Sequence, residues 1–338
     1  MRQRFNARRF SLHAMRRTPG ALMACGLAAA LLLSSPGCTS GGRSRPLFEM
    51  MPASSLMAVS INWRTVGRDV ELKRLLKTDT LELAFKELGI ETGDVSELAI
   101  FSDAQAADSK AGNNGIILRG TFDARQVRTR LSGQGWSEES YEGHKLWANN
   151  AGHRERCAAL KSNLVICGTR GGVEGAIDAV EDASESFAAS PTNKRMIARL
   201  RKNKFPIMML AAFPQETQDM AEVALQSSSA VLNLAGFGGL GSLLEKIGYV
   251  RGFGCAISRE GGDLPLEMLA VMKDEQAASL VSGSLNIMQK FTHALPTHNL
   301  SPAEANDLRK IQSIAVTRER DLLSIKVVAP VKDFRGGG

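Results

Sequence analysis

Five cysteines and five histidines stand among 338 residues, and the cysteines carry the clearest chemistry. Cys157 and Cys167 end two apolar runs, Cys157–Leu160 and Leu164–Cys167, separated by Lys161-Ser162-Asn163. A three-residue hairpin loop needs a left-handed residue at its end, a conformation Asn tolerates better than most residues. That loop places Cys157 directly opposite Cys167. Two readings stay open: a cross-strand disulfide formed in an oxidising compartment, or two small side chains buried on a sheet face. A C-x9-C spacing with no neighbouring Cys or His is not a zinc ligand set. Cys255 sits alone in an apolar run and reads as a buried thiol rather than a nucleophile.

The other chemical residues offer less. His144, His153, His293 and His298 fall in polar or turn-like segments, in no His-Glu-x-x-His or His-x-His pattern, and read as surface residues. No catalytic residue, metal or cofactor is assigned. Gly236-Phe237-Gly238-Gly239-Leu240-Gly241 matches the dinucleotide-binding spacing, but that motif must follow a strand and open a helix. Here it follows a predicted helix ending near Leu234, so it reads as a helix-to-helix connection. With Leu232, Phe237 and Leu240 the region is apolar for a loop, either a covered plug between two halves or a flap for an apolar ligand, membrane or partner. The covered reading is preferred.

The elements that must position these residues alternate between short strands and amphipathic helices. Strands are predicted at Leu56–Asn62, Leu98–Phe101, Gly115–Gly120, Ile207–Leu210, Val250–Ile257 and Leu266–Met272. A hairpin turns at Glu142-Gly143, and a last one pairs Ile311–Thr317 with Leu322–Val328. Helices are expected over Val66–Leu76 and Leu81–Leu88, after the cap Asp123, from Gly172, from about Gln215, and after the cap Asp274. Ser184–Asn193 reads as a polar stretch. The order strand, helix, hairpin, helix, hairpin occurs twice. It predicts an α+β fold of two similar halves, 54–190 and 200–334, each an antiparallel sheet with helices on one face and a ferredoxin-like connection order.

The net charge of +7 would suggest a nucleic-acid partner if it were spread over the chain. It is not. Residues 1–37 hold six arginines and no acid, so 36 basic and 35 acidic residues remain from Cys38 onward, a net of +1. A nearly neutral body has no broad electrostatic footprint for phosphate backbones. Behind the arginines lies an uncharged run of 13 residues, Ala21–Leu33. About 20 residues are needed to span a bilayer, so this run reads as the apolar core of a signal peptide.

Ser34-Ser35-Pro36-Gly37-Cys38 follows. Small residues ending in a cysteine behind such a run resemble the lipobox of bacterial lipoproteins. The resemblance covers only the leader, with ordinary signal-peptide cleavage and an uncleaved anchor as the alternatives. It implies a signal peptide over 1–37 and acylation of Cys38 with palmitate among the chains; the Gly- and Ser-rich Thr39–Arg45 reads as a flexible tether, assigned to 38–53. Ser40 stands where an Asp would retain many lipoproteins in the inner membrane, so the analogy implies an outer-membrane lipoprotein facing the periplasm or the cell surface. Leu88-Gly89-Ile90-Glu91 and Gly120-Thr121-Phe122-Asp123 also resemble segments of uncharacterised secreted bacterial α+β proteins. The expected role is a non-enzymatic binding or scaffolding module of the envelope. Its expected partners are the membrane, through the lipid, and an envelope protein. A secreted hydrolase built from dispersed residues and an apolar-ligand carrier are the alternatives.

Overall fold

The computed structural model describes residues 45–76, 78–103, 112–149, 155–160, 163–213, 249–259, 263–294, 308 and 312–330. The leader 1–37, the acylation candidate Cys38 and the group Leu232, Phe237 and Leu240 with its glycines lie outside the described residues.

The described strands are β1 (Met57–Ile61), β2 (Val95–Ser102), β3 (Asn114–Gly120), β4 (Ser137–Tyr141), β5 (His144–Ala148), β6 (Glu155–Leu160), β7 (Leu164–Thr169), β8 (Ile207–Ala212), β9 (Val250–Ile257), β10 (Asp263–Met272), β11 (Ala315–Glu319) and β12 (Leu322–Pro330). These twelve described strands join one antiparallel sheet in the order β11-β12-β10-β9-β8-β1-β2-β3-β7-β6-β5-β4. The expectation of a separate sheet for each half is therefore corrected. β1 pairs antiparallel with β8 over its whole length, from Met57 opposite Ala211 to Ile61 opposite Ile207, and makes the sheet continuous.

The ferredoxin-like order is corrected too. A split β-α-β unit sets a third strand between two parallel ones. Here β1 and β2 are antiparallel neighbours although helices separate them in the chain. The same holds for β10 and β12.

The described helices are α1 (Trp63–Val66), α2 (Val70–Leu76), α3 (Asp79–Glu87), α4 (Ala124–Gly133), α5 (Arg170–Glu181), α6 (Pro191–Lys202) and α7 (Glu275–Ala294). Capping side chains start several of them. Asn62 accepts from the Thr65 amide, Asp123 from Arg125 and Thr169 from Gly172, each satisfying a donor with no partner inside the helix. α6 opens with Pro191, whose missing N–H costs nothing in the first turn.

Helices cover both faces of the sheet, against the expectation of one. Period-two alternation explains why both faces needed cover. Along β2, Ala99 and Phe101 face one core while Leu98 faces the other. The first core holds Val173, Ala176 and Ile177 of α5 and Met196, Ile197 and Leu200 of α6. The second holds Trp63 and Val66 of α1, Leu81 and Phe85 of α3, and Val127 and Leu131 of α4. The Trp63 and Phe85 rings meet edge to face at 5.1 Å. α7 sets Ala277 and Ala278 against Met272 and Leu323, on the side of β12 opposite Leu322.

From Arg45 onward, the stretch assigned to a tether belongs to this body. Leu47, Phe48, Met50 and Met51 are buried in the first core, and the Phe48 ring lies 6.2 Å from that of Phe187. Leu47, Phe48 and Met50 are buried from a 3-10 turn, which is too short to show a helical period in the sequence. The sheet's two edges, β4 and β11, are five residues each and rich in Ser, Glu, Thr and Arg, which discourages pairing with another chain.

Candidate functional site

The residues with chemical potential lie on one rung of the sheet. Cys157 on β6 and Cys167 on β7 are direct partners, and a disulfide joins them. Their Cα atoms are 4.1 Å apart, the close spacing of a non-hydrogen-bonded pair. Asn163 takes a φ of 55°, the left-handed turn position that brings the two cysteines into register. The rung continues through Ile116, Ile100, Val59 and Met209 to Cys255. Burial pushes the Cys255 thiol up to about 12, so it is a neutral packing group at physiological pH rather than a nucleophile.

The histidines sit apart from this rung and from each other. His144, beside the Glu142-Gly143 turn, pairs with Glu181 at the end of α5 at 2.6 Å. His293 is exposed near the end of α7. His153 and His298 lie outside the described residues. Next to His144, the Tyr141 hydroxyl donates to both oxygens of Asp178, 3.1 and 3.0 Å away, fastening β4 to α5. Burial and that bond to a carboxylate raise the tyrosine above its ordinary value. These pairs tie a hairpin to a helix; none presents a base to a nucleophile. A solvent-open concavity of about 500 Å³ is lined by Arg125, Gln126, Thr129, Arg130 and Gly133 of α4 and by its C-cap Gln134. It offers neither a histidine nor a carboxylate. Among the described residues, no three His, Cys, Asp or Glu side chains gather in metal-ligating geometry.

Two further groups escaped the sequence reading. The first surrounds Glu267 on β10, which is almost wholly buried. Its carboxylate accepts from Asn203 Nδ2 at 2.6 Å, Ser324 Oγ at 2.8 Å and Arg199 Nε at 3.2 Å, and Lys326 Nζ lies 3.7 Å away. One acid thus ties α6, β10 and β12 together. Buried charge survives only with such partners.

The second group is the outward face of α6. Between Ser186 and Pro206 there are six basic residues and no acid. Arg195 makes a bidentate pair with Asp321 and Arg199 turns in to Glu267. Lys194, Arg201, Lys202 and Lys204 are exposed, with no carboxylate partner among the described residues. The signal for this helix was present in Ser190-Pro191 followed by Met196, Ile197 and Leu200 at helical spacing. The polar Ser184–Asn193 stretch masked it.

Arg45, the first described residue of the segment assigned to a tether, is also bound. Arg45 donates to the carbonyls of Ala179 and Val180 at the last turn of α5, both at 2.7 Å, and its own carbonyl accepts from Arg119. A cation on the terminal carbonyls of a helix suits both their free lone pairs and the helix dipole.

No family model matches the sequence, and no curated protein matches it. Solved structures of TP0453 are similar in outline. Crystal form I has a TM-score of 0.43 at 6% identity, covering 87% of this chain and 96% of that one. Form III has 0.45 at 6%, covering 87% and 97%, and form IV 0.45 at 8%, covering 85% and 94%. Similarity of this order transfers neither ligand nor role. No helix among the described residues is long and apolar enough to cross a membrane.

Proposed function

We propose that this chain is an exported lipoprotein, acylated at Cys38, whose body acts as a non-enzymatic binding or scaffolding module beside an envelope membrane. The observation that carries the reading is the Cys157–Cys167 bridge. Structural disulfides persist in the periplasm and outside the cell, and are rare in a reducing cytosol. The arginine-rich leader with its 13-residue apolar run argues independently for the same side of the membrane. Ser40 favours the outer membrane as destination. The continuous sheet, joined edge to edge at β1 and β8 and covered by helices on both faces, supports a module that acts as one body.

The test is Cys38→Ala. The parent should fractionate with membranes, and its N-terminal peptide should carry acyl mass and incorporate a labelled fatty acid. The variant should lose both. A variant that still fractionates with membranes at the parent's level would show that lipidation is the wrong anchor.

A further inference from the structure

We propose that the outward face of α6, carrying Lys194, Arg201 and Lys202, together with Lys204 in the turn that follows it, docks the anchored body onto anionic phospholipid headgroups. The proposal rests on acylation of Cys38. Two independent features point to it. The first is charge: these four cations are exposed and unmatched by carboxylates among the described residues, on a body whose net charge from Cys38 onward is only +1. Positive charge concentrated on one face of a nearly neutral protein is an orienting device.

The second is the position of the anchor. Six residues separate Cys38 from Arg45, which is fastened to the last turn of α5. Seven extended peptide steps reach at most about 25 Å, so the surface around Arg45 stays close to the bilayer. That surface belongs to the layer containing α6. Leu47, Phe48, Met50 and Met51 share one core with Met196, Ile197 and Leu200, and Phe48 packs on Phe187, four residues before α6 begins. Arg45, from which the anchored segment extends, and the basic face therefore lie on the same side of the sheet. α1, α3 and α4 cover the opposite side. Anionic headgroups attract juxtamembrane cations within a Debye length, and each contributes roughly a fivefold gain in partition.

The experiment uses the full acylated chain reconstituted in vesicles of phosphatidylcholine alone, or with about 30 mol% phosphatidylglycerol to give a negative surface. An amine-reactive reagent followed by peptide mass mapping reads the exposure of each lysine. Lys86, exposed on α3 across the sheet, serves as the internal control. On the charged vesicles, labelling of Lys194, Lys202 and Lys204 should fall at least about fivefold relative to Lys86, and return at high salt. Equal labelling on the two vesicles would overturn the proposal. So would protection of these lysines by soluble heparin but not by charged vesicles, which would indicate a soluble acidic partner. Failure of the protein to remain on plain phosphatidylcholine vesicles would instead count against the Cys38 anchor, a separate outcome.

Discussion

Glu267→Ala tests whether the buried carboxylate is what holds α6 to the sheet. The side chain is 1% exposed, and its four partners come from α6 with its C-cap and from β12. Removing one member of a buried ion pair costs about 3–5 kcal/mol, because the other charge is left without compensation. Here the remaining cations can partly rehydrate, since Arg199 is 29% exposed and Lys326 47%. Asn203 reaches water as well. Ser324 is buried and would keep an unsatisfied hydroxyl, a cost of about 1–3 kcal/mol. The expected loss is therefore about 2–4 kcal/mol, below the full buried-pair figure. Glu267→Gln keeps the shape and one acceptor oxygen, and should cost about 1–2 kcal/mol.

Equilibrium urea unfolding followed by two probes reads the effect. All three tryptophans, Trp63, Trp136 and Trp147, precede β8, so fluorescence reports the N-terminal half while far-ultraviolet dichroism reports the whole. Because β1 and β8 make the sheet continuous, both probes should shift to lower urea together with unchanged slope. A Glu267→Ala midpoint within about 0.5 kcal/mol of the parent would refute the anchoring role. A shift in dichroism alone would refute the coupling across β1 and β8.

Replacing both Cys157 and Cys167 with Ser removes a cross-link closing a loop of sequence separation 10, which the chain-entropy estimate values at about 3 kcal/mol. Urea midpoints of oxidised and reduced parent should differ by a similar amount, and non-reducing peptide mapping of exported protein should yield the linked pair. Two free thiols would count against the bridge and against an oxidising address. Asp321 is held below its ordinary carboxylate value by its hydrogen bonds from Arg195, so the pair contributes stability above that value and loses it as pH falls through the lowered one. Both side chains are partly exposed, so Asp321→Asn should lose under about 1 kcal/mol at neutral pH, and the gap between variant and parent should close in acid. A gap that widened below pH 4 would reverse the sign of this reasoning.

Local chemistry was readable wherever it is set by neighbours in the chain. The three-residue loop ending in Asn163 dictated that Cys157 face Cys167, and the positive φ at Asn163 is the reason. Asp123 caps its helix because its short side chain reaches back to the Arg125 amide. The Glu142-Gly143 turn adopts positive φ at both residues, as a two-residue hairpin demands. What stayed illegible depends on distant partners. Nothing in Met57–Ile61 announces that its second neighbour is Ile207–Ala212, about 150 residues away, because any alternating apolar strand offers the same edge. The faces covered by helices were hidden for the same reason. In β2 both sides of the alternation are apolar enough to bury, so counting residues could not tell a two-layer from a three-layer arrangement. Nothing in Leu266–Met272 marks Glu267 as buried; only Arg199, Asn203 and Ser324, brought from elsewhere, make its burial tolerable.

The five-residue seam between β1 and β8 is centred on Val59 opposite Met209, and its two strands run in opposite directions. A strand pairing with a reversed neighbour could equally pair with a reversed copy of itself. If the polypeptide were severed in the stretch before β8, each fragment would carry a bare edge at the seam. The fragments could then restore the contact in two ways, by finding each other or by doubling with their own kind. The covalent link between them makes the mixed union intramolecular, and so far more favourable than either self-pairing at ordinary concentrations.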